Sequence, residues 1–239
     1  MTGGGRLPIW KMLQRNGTVT TFNPSWEDMS NFVVHFTTKL PGPPPKTPYD
    51  NIISILGSGR IEARNPFGMA RSAAPDPHSQ KTVCFSEIPL HQLSRLTARR
   101  GPYGVGFTKE FMVARGGGPV FYAYSGTPQA RALQDLLADA RAWPNPAESP
   151  IWRVAPFVEF PGNHNGRLYR FAWEREWRHV GNFDFRPADV PFLVIPENQH
   201  DDARLYFEGA RDDNTGPAYL CPYIDPGWDR TRVQRELGM

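Results

Sequence analysis

Asn31-Phe32-Val33-Val34-His35-Phe36-Thr37-Thr38 is the stretch on which the fold class turns. It is β-branched and aromatic with no glycine or proline, which predicts a strand. Five prolines between Leu40 and Pro48 make the next segment a loop. Ile52, Ile53, Ile55 and Leu56 then recur at helical spacing. They predict a helix over residues 49–58 that stops at Gly57 or Gly59. Further short strands are expected at 61–63, 83–87, 103–107, 119–124, 152–160 and 192–195. Helices are expected at 89–96, 108–114, 129–143 and 198–209. Short strands with a few helices between them predict an α+β domain.

The chain of 239 residues is read as one domain, with residues 1–23 as a polar lead-in and 197–239 as a C-terminal extension, loosely structured over its last 25 residues apart from Tyr219 to Tyr223. With 39% hydrophobic and 13% aromatic residues it can bury a core. Charge is balanced, 27 basic against 24 acidic residues, which argues against wholesale disorder. No apolar run approaches the roughly 20 residues needed to span a bilayer, and Met1 to Trp10 lacks a signal-type apolar core. A cytoplasmic protein without membrane contact is therefore expected. The 25 prolines and 22 glycines predict many turns and few long helices. Residues 60–115 carry nine basic and four acidic residues, whereas 201–239 carry five basic and eight acidic. The first region suits phosphate contact and the second suits a partner surface.

Three places could carry chemistry. His35 interrupts an apolar strand as a polar handle, or is a buried histidine with a satisfied hydrogen bond. Phe85-Ser86-Glu87 places a serine after a strand, where it either bonds a ligand or caps the next helix. Glu174-Arg175-Glu176-Trp177-Arg178 puts two carboxylates on one face of an extended segment. Trp173 and Trp177 beside them suggest a lined cleft. Paired carboxylates can orient a nucleophile and stabilise positive charge developing on a sugar. The six histidines and two cysteines form no metal-binding spacing. No phosphate-loop motif is present, and Gly104-Val105-Gly106 lacks the third glycine of a dinucleotide fingerprint.

The series VVHFTT, ILGSG, VCFSEIPL, YGVGFTK, PVFYAY and EREWRHVG, over roughly residues 31–196, is similar to the AbiGi family of abortive-infection phage-resistance proteins, described as antitoxins. The same skeleton resembles the ADP-ribosyltransferase fold of DarT-like toxins, a split β-sheet core that grips NAD. That resemblance implies His35, Phe36 and Thr37 on the first strand as NAD contacts. Phe85 with Ser86, or Tyr103, would form the second motif. An arginine from Arg60, Arg64 and Arg71 would be a further contact, with Arg64 taken as the candidate. Glu176 and Glu174 would be the catalytic pair. The implied function is an NAD-dependent ADP-ribosyltransferase acting as a toxin or phage-defence effector. It would use NAD as substrate and no metal, and its acceptor would be a DNA or RNA base, or a protein side chain. Arg167 and Arg170 would meet phosphates of the acceptor, and a cognate antitoxin would be the partner. The alternative is a non-enzymatic antitoxin or partner-binding protein. A nucleic-acid binder or nuclease is the third reading.

Overall fold

The computed structural model describes residues 30–164, 167–169 and 174–238. The expected lead-in, Arg170 and Trp173 lie outside the described residues. In chain order the first elements are β1 (Phe32–Phe36), α1 (Pro48–Ser58), β2 (Arg60–Ile61), β3 (Asn65–Pro66) and β4 (Lys81–Ser86). Next come α2 (Ser94–Arg100), β5 (Gly104–Thr108), α3 (Lys109–Ala114), β6 (Gly118–Pro119), β7 (Phe121–Tyr122) and α4 (Pro128–Arg141). They are followed by α5 (Ile151–Val154), β8 (Val158–Glu159), β9 (Gly162–His164), β10 (Arg167–Tyr169), β11 (Glu176–Val180) and β12 (Phe183–Asp184). The last elements are β13 (Leu193–Val194), α6 (His200–Asp212), β14 (Tyr223–Ile224) and α7 (Arg230–Leu237).

The central sheet has eight strands in the order β14-β13-β5-β1-β4-β11-β6, with β3 added against β4. All its pairings are antiparallel except β13 with β14. Three two-stranded pairs flank it: β9 with β10, β2 with β12, and β7 with β8. This is a mixed α and β architecture, as the strand and helix pattern predicts.

Alternation along the strands divides the core between the two faces of the sheet. Val33, Val83, Phe85, Val105 and Phe107 pack with Ile52, Ile55 and Leu56 of α1 on one face. Val34, Phe36 and Val194 pack with Leu96 of α2 and Val233 of α7 on the other. Gly106 is where this second layer comes closest, since a Cβ there would sit 2.4 Å from the Phe192 ring. Helix α1 begins on a signal that the proline count obscured. Thr47 accepts from the Asp50 amide while Asp50 accepts from the Thr47 amide, a reciprocal capping box with Pro48 at the first helical position. It ends at Gly59, which takes the left-handed conformation with φ of 61°.

Three expectations change. The run at 119–124 is not one strand. Val120 donates to Glu176 beside β11, and Ala123 donates to Glu159 beside β8, so the chain leaves the central sheet halfway along the run. The segment 152–160 is helical until Phe157, and only Val158 and Glu159 pair as a strand. Packing decides its state: Trp152 and Ala155 are buried with Leu137 and Ala140 of α4. Beyond the stretch Tyr219 to Tyr223 the C-terminal residues are not loose either, because β14 continues to Ile224 and α7 follows, with Ile224 and Val233 buried. Among the described residues no helix is long and apolar enough to cross a membrane.

Candidate functional site

A cleft of about 910 Å³ opens between β1, β4, α1 and the segment after β2. That lies within the size range of small-molecule sites. His35, Glu174 and Glu176, scattered in sequence, all line it. So do Arg64, Phe36, Phe85 and Ser86. Thr37 and Tyr103 do not. The Thr37 hydroxyl is buried and donates to the carbonyl of Pro48, tying the end of β1 to the start of α1. The Tyr103 hydroxyl donates to Gln199, and its ring packs on Tyr49. Trp177 is not a cleft wall either. It is a core residue whose indole N–H donates to Glu87. Phe36 reaches the cleft only at its edge, since its ring packs in the opposite layer.

His35 pairs across β1 with Val105 and stands on the same face as Val33. Its Nδ1 lies 2.9 Å from the carbonyl oxygen of Cys84. A carbonyl can only accept, so Nδ1 carries the hydrogen. Burial, with smaller contributions from the charges of Arg100 and Arg64, lowers the His35 pKa to about 4. The ring is therefore neutral at pH 7, and Nε2 is an acceptor. It makes no hydrogen bond among the described residues. The Ser86 hydroxyl likewise makes none, and it caps nothing: the turn at Leu90–Gln92 begins without a side-chain cap. Cys84, also in the cleft wall, is kept a neutral thiol, because burial and the nearby Glu176 push its pKa up to about 12.

The two carboxylates meet different arginines. Arg175 takes a positive φ of 45°, so the chain is not extended between Glu174 and Glu176, and β11 begins only at Glu176. Glu174, with a side chain 5% exposed, accepts from Arg100 at 2.8 Å. Glu176 accepts two hydrogen bonds from Arg178, at 2.9 and 3.1 Å. Arg178 is the centre of the floor. Its side chain is 2% exposed, donates to Glu159 at 2.8 Å and to the carbonyl of Pro156 at 2.6 Å, and lies over the Phe67 ring. Burial by itself would lower its pKa, but Glu176 and Glu159 outweigh that and raise it. Glu159 also accepts from Arg71 at 2.5 Å and from the amide of Gly68.

Arg100, Arg178 and Glu159 escape a reading by motif. Arg100 stands 74 residues from Glu174, and Glu159 stands 19 from Arg178. The signal present in the sequence is charge in otherwise apolar surroundings: Arg178 inside a strand and Glu159 after Val158.

The family model described as "Putative abortive phage resistance protein AbiGi, antitoxin" matches residues 62–212, well over half of the chain. The chain belongs to the AbiGi family. The matched segment contains β4, α2 and β11, and with them Arg64, Arg100, Glu159, Glu174, Glu176 and Arg178, while His35 and α1 precede it. No curated protein and no solved structure matches the chain. The AbiGi resemblance seen in the sequence holds. The enzymatic reading does not: the family is described as an antitoxin, which overturns the assignment as an NAD-dependent ADP-ribosyltransferase. The geometry is in keeping with that correction. The carboxylates expected to carry catalysis are each engaged by arginine, in contacts that build the cleft. The DNA, RNA or protein acceptor falls with the reaction it served.

Proposed function

We propose that this protein is the antitoxin component of an abortive-infection phage-defence system, neutralising a cognate toxin by binding it. The observation that carries this reading is the AbiGi match over residues 62–212. The ion-paired carboxylates support it, because Glu174 and Glu176 act as structural partners of Arg100 and Arg178. The acidic side chains of α6, Asp201, Asp202, Glu208 and Asp212, belong to the region whose composition suits a basic partner.

Expression in a bacterial host tests the proposal. The protein alone leaves growth unchanged, the toxin of the same system alone arrests it, and the two together restore colony formation. Growth arrest by this protein alone, or failure to rescue despite folded, abundant protein, overturns the reading. Incubation with NAD, with and without DNA, RNA or lysate, should release no nicotinamide.

A further inference from the structure

The cleft has a charge gradient that ion pairing alone does not explain. Seven basic side chains line it against four carboxylates. The carboxylates of Glu174, Glu176 and Glu159 lie deep, whereas the heads of Arg64, Arg71 and Arg100 stay 42%, 51% and 44% exposed at the mouth. Each of these arginines spends only part of its five-donor fork on its carboxylate. Arg100 donates through Nη2 alone. Arg71 uses Nε and Nη2, on Gly68 and Glu159, and leaves Nη1. The rim therefore offers unspent, fixed guanidinium donors, the chemistry that suits a phosphate.

The floor differs. Arg178 at its centre spends its donors on Glu176, Glu159 and the Pro156 carbonyl, and the neutral His35 Nε2, the Ser86 hydroxyl oxygen and the carboxylates of Glu174 and Glu176 are acceptors. That set suits a hydroxyl or amide N–H better than a phosphate.

We propose that this cleft binds a phosphorylated sugar of nucleotide size, with its phosphate at the arginine rim and its hydroxyl-bearing end on the His35–Glu174 floor. The volume of about 910 Å³ accommodates a nucleoside diphosphate sugar with room to spare. The NAD expected from the sequence falls in this class, as a bound ligand. The inference is independent of the antitoxin reading, since it concerns a small molecule held in the cleft.

Isothermal titration calorimetry on the full chain tests it, with ADP-ribose, AMP, adenosine and inorganic phosphate as probes. ADP-ribose or AMP should bind with a Kd below about 100 μM at low salt, and adenosine and phosphate should each bind at least about tenfold more weakly. Arg64→Gln combined with Arg71→Gln should weaken binding about tenfold and make it less salt-dependent. No heat from either nucleotide at about 1 mM with folded protein, adenosine binding as well as AMP, or affinity unchanged in the double variant overturns the proposal. Growth rescue by a chain that binds no nucleotide removes this inference and leaves the antitoxin reading standing.

Discussion

Two arginine clusters in this protein use the same parts in opposite surroundings. In the cleft floor, Arg178 bonds Glu176 and Glu159 and lies over Phe67, with 2% of its side chain exposed. Near the C-terminus, Arg232 bonds Glu197 and lies over Trp228, whose indole N–H donates to the same carboxylate. There the arginine is 39% and the glutamate 49% exposed. Chemistry and composition are alike, but burial is not. Water screens the second cluster and can replace any partner it loses. In the first cluster each lost partner leaves a charge stranded.

The sharpest way to break the comparison is Arg178→Met. It leaves Glu176 buried without its cation and Glu159 with Arg71 alone, and the expected loss is about 3–5 kcal/mol of stability, read by chemical denaturation. A loss no greater than that of a surface variant would mean that the floor is wetter than its burial indicates. Acid should produce the next largest effect, again in the cleft. The His35 pKa is lowered to about 4 from an ordinary 6.5, so the unfolded chain binds the proton first. The stability tied to the neutral ring is complete above pH 6.5 and drains away as pH falls towards 4. That loss is at most about 3 kcal/mol, less where water in the cleft screens the ring. His35→Gln should flatten this limb of the pH–stability curve, and an unchanged limb would place the titration elsewhere. The smallest effect is Arg232→Ala, which should move the melting temperature by less than about 2 °C and matter still less in high salt. A double-mutant cycle on each pair sharpens the contrast: coupling between Arg178 and Glu176 should exceed that between Arg232 and Glu197 severalfold.

Much of the cleft was legible as residues and little of it as partnerships. His35 stood out because a polar ring interrupts Val33-Val34 and Phe36, and Glu174 with Glu176 because they flank an arginine beside tryptophan. All three line one cleft. What two carboxylates in a row do not tell is their partners: Glu174 meets Arg100 of α2, 74 residues away, whereas Glu176 meets Arg178 on its own strand, once the turn at Arg175 has separated the pair. Thr37 and Tyr103 were sensible candidates by type, and their hydroxyls are occupied in joining elements. That Gly106 of β5 is where the Phe192 ring comes closest shows only in the fold.

The sequence by itself determined what is settled within a turn or two of chain. The strand at β1, the helix α1 with its glycine stop, the helix α4 and the α+β character follow from local periodicity, side-chain branching and caps. Tertiary structure decided the splitting of 119–124 between two sheets, the helical state of 152–157, the ordering of the C-terminus and the pairing of Glu174 with Arg100 and of Glu159 with Arg71 and Arg178. These depend on contacts between residues tens of positions apart. Their energies come from burial and desolvation, which no short window of sequence contains.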